Sequence, residues 1–253
     1  MWKTLQALRM SRKNCKKALT HLLLVGSVTS HTESNLRHMR NKSLLFGAAL
    51  CAIGLSGALG QVYSANVVGY VTLTAPKGLS MIANQLDNKN GNKLVDVLPT
   101  VPDGSTIHFF VGGSYTSIGY FGGWDGNPSI ALAPGGGAFL EIPSDASDAS
   151  RKITFVGEVL QKAASNGSVP AGLSIVSSKT PRAGKVTTDL KFPAGEALDG
   201  SNAFKYNTTT GKYDSFDLFG GWGTEPSVAV GESFFFFNAN AAAQAWNQDF
   251  EVK

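Results

Sequence analysis

Past residue 66, apolar and polar positions alternate with a period of two along most of the chain. Val67, Gly69, Val71 and Leu73 fall on one face of a run whose other face is Val68, Tyr70, Thr72 and Thr74. With its β-branched content, this run predicts a strand. Ile107, Phe109 and Val111 share one face of a second strand, and Ile153, Phe155 and Gly157 one face of a third. Residues 204–207 and Lys212-Tyr213 flank Thr208-Thr209-Thr210-Gly211, which reads as a hairpin with Gly211 at the position needing positive φ. Phe234 to Phe237 is apolar on both faces and predicts a central strand covered on both sides. The one helical candidate in the first half, Asn92 to Leu98, is a turn or two long. Dense Gly and Pro between short runs predict an all-β fold.

One stretch breaks the alternation. Met39-Arg40-Asn41-Lys42 is a short basic segment followed by an apolar Ala/Gly/Leu-rich run from Ser43 to Leu59. That run is shorter than the roughly 20 residues a membrane-spanning helix needs. Small residues at Ala58-Leu59-Gly60 and Tyr63-Ser64-Ala65 suit a signal peptidase. The expectation is a signal peptide over 39–60, cleaved after Gly60 or, second, after Ala65. Cys51 lies inside the apolar run behind Leu50, where a lipoprotein signal wants a small residue. Residues 1–38 read as a mis-assigned start, with translation from Met39, or as an extended basic leader.

The remainder repeats itself. Pro76-Lys77-Gly78-Leu79-Ser80 recurs as Pro170-Ala171-Gly172-Leu173-Ser174, and Phe121-Gly122-Gly123-Trp124 as Phe219-Gly220-Gly221-Trp222. Pro128-Ser129-Ile130-Ala131 recurs as Pro226-Ser227-Val228-Ala229, and Gly135 followed by Phe139 as Gly231 followed by Phe235. The order predicts two tandem β-sandwich or barrel-like repeats of roughly 90 residues each, 66–159 and 160–253. Val156-Gly157-Glu158-Val159 matches both the end of the second copy and the start of the first. One strand is therefore expected to close one copy and open the next, giving a tightly packed pair.

Composition changes the picture once the leader is set aside. Of 22 Lys and Arg, nine lie in residues 1–60, with one of the 18 acids, so the body is net acidic by four charges. Such a body lacks the basic field of backbone-driven nucleic-acid binding. Both cysteines, Cys15 and Cys51, and three of four histidines also fall in the leader, leaving His108 alone in the body. A Cys-based zinc site or thiol nucleophile in the body is excluded. No metal site and no cofactor is expected.

Val68-Gly69-Tyr70-Val71, residues 76–84, Pro102-Asp103-Gly104-Ser105-Thr106-Ile107, Gly122-Gly123-Trp124, residues 133–139 and Phe155-Val156-Gly157-Glu158-Val159 occur in that order. The series resembles a family of exported, β-rich bacterial proteins frequent in Verrucomicrobia and Planctomycetes, and residues 169–175 and 225–232 resemble its second half. The resemblance implies export and an all-β fold; it carries no assigned activity and no catalytic residues. The chain departs from that pattern at Gly136-Gly137-Ala138, where Glu-Gly-aromatic is usual; the second copy has Glu232-Ser233-Phe234.

Candidate chemistry is sparse. Asp87, Asp96, Asp103, Asp125 and Glu141 are scattered carboxylates with no spacing that speaks for glycoside hydrolysis. Asp87 to Asn92 has Lys89 third and Gly91 fifth, against the calcium-loop register, and reads as an Asn/Gly turn. A Ser-His-acid triad would have to use His108, and no Gly-x-Ser-x-Gly elbow occurs. The chain is read as non-enzymatic. The aromatic turns are the binding candidates: a double Gly can hold a ring out to solvent, so Trp124, Trp222 and Tyr120, flanked by Asp125 and Asn127, form a carbohydrate-stacking site on the alternative reading. Both copies keep the apolar residues and differ in the polar ones, which favours packing. The expected role is a structural or interaction component of the envelope or extracellular space, with a polysaccharide or protein partner.

Overall fold

The structure, a computed structural model, describes residues 67–126, 129–148 and 151–252. The expected signal segment and upstream extension lie outside the described residues, as do the cleavage sites. The fold is all-β. Among the described residues there are fourteen strands, one short helix and two single-turn 3-10 segments, and no helix is long and apolar enough to cross a membrane.

The strands are β1 Val68–Thr74, β2 Gly78–Ile82, β3 Thr106–Val111, β4 Ser114–Gly119, β5 Ala138–Ile142, β6 Lys152–Glu158, β7 Gly167–Val169, β8 Gly172–Val176, β9 Gly184–Lys185, β10 Ser201–Asn207, β11 Lys212–Leu218, β12 Ser227–Val228, β13 Phe234–Asn238 and β14 Gln244–Trp246. Every pairing among them is antiparallel. One four-stranded sheet runs β2-β5-β3-β4 and the other β8-β13-β10-β11. Written in chain order within each half, these are the same connection. Two-stranded ribbons, β1-β6 and β7-β14, precede and close the respective sheets. The registers agree as well: Phe139 faces His108 and Met81, as Phe235 faces Phe204 and Ile175.

The period-two pattern places the cores. On the first sheet Ile82, Ile107, Phe109, Ile118, Ala138, Leu140 and Ile142 point to one side, where Val71, Ile153 and Phe155 of the β1-β6 ribbon cover them. On the second sheet Val176, Ala203, Leu218, Phe234 and Phe236 bury against Val186, Leu190, Phe192 and Trp246. The opposite faces of the two sheets meet each other through Met81, Phe139, Ile175 and Phe235. β13 is thus covered on both sides, Phe234 and Phe236 by one core and Phe235 by the other. Edge-to-face pairs Phe110–Phe235 at 5.2 Å and Phe139–Tyr206 at 5.4 Å cross this layer; each contributes about 0.5–1.5 kcal/mol beyond burial.

Backbone bonds tie the sheets reciprocally. Ala83 N–H donates to the Gly231 carbonyl at 2.8 Å, and Ser177 N–H to the Gly135 carbonyl at 3.0 Å. The described residues form one compact unit. The shared strand expected at 156–159 is not how the halves join. β6 pairs with β1, and β7 takes the place of β1 in the second half. The 3-10 turn Ala163–Ser165 interrupts that second ribbon, which resumes as a bridge between Lys162 and Phe250.

The helix α1 spans Leu94–Val97. Before it, Asp87 to Asn92 is a turn held by its own side chains. Asn92 Oδ1 accepts from Asn88 N–H, and Asp87 Oδ1 accepts from Lys89 N–H and Asn92 Nδ2, all at 3.0 Å. The Asp87 oxygens are spent inside the turn, and no cluster of three metal-binding side chains occurs among the described residues.

Candidate functional site

The two Phe-Gly-Gly-Trp turns are built by the same bonds. Phe121 N–H donates to the Gly123 carbonyl, and Phe219 N–H to the Gly221 carbonyl. A bridge joins Tyr120 to Trp124, and another Leu218 to Trp222. Asp103 Oδ1 accepts the Gly122 amide at 2.7 Å, and Asp199 Oδ1 accepts the Gly220 amide at 2.7 Å. Gly122 and Gly220 sit at φ 66° and 62°, where a side chain would be strained.

The ring these turns hold out to solvent is the Phe, not the Trp. Phe121 is 72% exposed and Phe219 80%. Trp124 is 9% exposed; its indole N–H donates to the Leu98 carbonyl at 2.6 Å, and its ring meets Tyr120 edge-on at 5.1 Å. Tyr120 is buried. Trp222 is half-buried, donating to Thr187 Oγ1 at 2.8 Å and packing on Phe192 and Phe236. Asp125 is exposed, and Asn127 lies outside the described residues. Both indoles are thus tied into packing and internal hydrogen bonds. The signal for the turn's true geometry was present in the chain: Asp103-Gly104-Ser105 recurs as Asp199-Gly200-Ser201, supplying the two capping carboxylates.

A second constellation was not anticipated. Between the facing sheets lies a cleft of about 400 Å³, lined by Leu79, His108, Tyr115, Phe139 and Glu141 of the first sheet and Tyr206 and Tyr213 of the second. Strand parity places the first five on one sheet face, and the β10-β11 hairpin brings the last two across. Tyr115 and Tyr213 are 52% and 47% exposed and form its rim. Burial, reinforced by the Tyr115 hydroxyl beside it, pushes the Tyr213 phenol up to about 12, so it stays neutral.

The body's single histidine belongs to this cleft. Register sets His108 opposite Ser117, and His108 Nδ1 stands 2.7 Å from Ser117 Oγ. On the other side His108 Nε2 is 3.5 Å from Glu141 Oε2. The row Ser117, His108, Glu141 contains the elements of a nucleophilic triad, but its geometry is that of a cross-strand polar row. Ser117 lies mid-strand in β4, away from any strand-to-helix elbow. Glu141 is about half exposed and beyond hydrogen-bond reach of the ring that it would have to orient.

No family model matches the chain, and neither a curated protein nor a solved structure is significantly similar to it.

Proposed function

We propose that this is an exported, non-enzymatic β protein, a tandem duplication behind a cleaved leader, that serves as a structural or interaction component of the bacterial envelope or extracellular space. Its contacts are made through Phe121 and Phe219. The observation that carries this reading is the repeated presentation of an exposed ring on the same Asp-capped glycine turn. Single exposed apolar residues are ordinary. Two at equivalent positions, each on a turn fixed by the same bonds, are pre-organised anchors whose immobilisation costs little on binding. The identical strand order of the two four-stranded sheets supports the duplication, and the leader's composition supports export.

The test is fractionation of the producing cell with the wild-type chain and the double variant Phe121→Ser, Phe219→Ser. The expected result is wild type found outside the cytoplasm, starting near Gln61, and retained on envelope material, with the double variant released. Material with an intact leader in the cytoplasm overturns export, and equal retention of both chains overturns the role of the tips. Glycan stacking is the second reading, favoured by flat exposed Phe rings beside an exposed Asp125. Protection of retention by soluble polysaccharide would select it.

A further inference from the structure

We propose that the cleft between the two sheets, lined by Phe139, Tyr206, Tyr213, Tyr115 and the Glu141 carboxylate, is a binding site for a compact organic cation of the quaternary or methylated ammonium class. The site is independent of the Phe tips, and either reading stands without the other.

Ring geometry is the first ground. Phe139 meets Tyr206 at 86° and Tyr213 at 82°, and Tyr206 meets Tyr213 at 69°, with centroids 5.4, 6.5 and 5.5 Å apart. Tyr115 adds a fourth wall, tilted 56° to Phe139 at 6.4 Å. Phe139, 4% exposed, is the floor of the cleft, and Tyr115 and Tyr213, about half exposed, stand at its rim. A sugar ring stacks on a flat platform, whereas a rounded cation with diffuse charge meets several aromatic faces at once. Aromatic cages recognise quaternary ammonium groups in this way.

Charge is the second ground. Glu141 supplies the one carboxylate lining the cleft, and the aromatic faces carry negative quadrupole potential. The high phenol of Tyr213 keeps that wall an uncharged donor.

The third ground is the difference between the halves. By register, His108 of the first sheet corresponds to Phe204 of the second, since they face Phe139 and Phe235. Glu141 corresponds to Phe237, since they face Thr106 and Asn202. In the second sheet Phe204 packs against the inter-sheet cluster, while Phe237 is 42% exposed. The first sheet instead sets a carboxylate there, with His108 held on Ser117 beside it. That exchange sets a negative charge among the aromatic rings of the cleft, which suits a cationic ligand.

Titration calorimetry of the full chain with choline chloride, against its neutral isostere 3,3-dimethylbutan-1-ol, tests the assignment. The expected result is saturable choline binding, with the isostere roughly tenfold weaker. Tyr213→Leu should weaken choline roughly tenfold and Glu141→Gln roughly fivefold. Phe219→Ser, at an exposed tip that does not line the cleft, should leave choline binding within about twofold. Equal affinity for choline and its isostere, or no saturable heat at roughly ten millimolar choline, overturns the proposal. Should a variant lose its far-UV spectrum, the wild-type comparison of the two probes decides alone.

Discussion

Gly137 has one purpose that the structure makes quantitative. A Cβ added there would lie 2.3 Å from both Cβ and Oγ of Ser233 and 2.7 Å from Ile175 Cγ2. Ordinary carbon contacts are about 3.5–4.0 Å, so more than an ångström must be recovered. Gly137 is not among the residues with positive φ, so the penalty for alanine is steric alone. The neighbour cannot yield: Ser233 is 1% exposed and its hydroxyl donates to the Ile82 carbonyl at 2.9 Å. Gly137→Ala should therefore destabilise by about 1–3 kcal/mol, lowering Tm by roughly 2–12 °C for a body of this size. Ser233→Gly removes both clashing atoms but also a buried hydrogen bond, at about 1–2 kcal/mol. The double variant exchanges the two sizes across the contact and should be more stable than the sum of the singles requires, by at least about 1 kcal/mol. Urea denaturation followed by tryptophan fluorescence and far-UV circular dichroism reads all four corners of the cycle. A Gly137→Ala chain within about 0.5 kcal/mol of wild type, or strictly additive costs, would refute the packing of the two halves described above.

Three further outcomes follow from the same geometry. Acrylamide quenching of a Trp2→Phe chain should come mainly from half-buried Trp222, because Trp124 and Trp246 are 9% and 3% exposed; Trp222→Phe should remove most of it. The Glu225 carboxyl is raised by burial but lowered more by the Thr188 hydroxyl and the Thr188 and Thr187 amides, so it titrates below the ordinary carboxylate range. Its stabilisation is present above that range and lost as pH falls through the folded value. Glu225→Gln should cost about 1 kcal/mol near neutrality, with the gap to wild type closing in urea midpoints taken down to about pH 3. Ser117, mid-strand and paired with a His108 that Glu141 is too distant to orient, should resist a fluorophosphonate probe; stoichiometric labelling that His108→Phe abolishes would make the chain a hydrolase.

Local pattern and long-range contact divided the legibility of this chain. Strands and their buried faces could be read because parity is local: Ile107 and Phe109, or Ile153 and Phe155, need only their own neighbours to declare a face. The Phe-Gly-Gly-Trp turns could be located but not oriented. The double glycine permits either ring to emerge, and the choice is made by Asp103 and Asp199, about twenty residues upstream, with the Leu98 carbonyl receiving one indole. The Gly136-Gly137-Ala138 departure stood out in the sequence, yet its cause is Ser233, the corresponding residue of the other half, pressed against it. Gly137 and Ser233 hold equivalent places in the two halves, and their contact leaves no room for a side chain at both. Glycine at 137 relieves that contact, so here a difference between the halves marks one. The same logic separates His108 and Glu141 from Phe204 and Phe237. There the difference sets charge and polarity at an aromatic cleft, which is why it points to a ligand and Gly137 to packing.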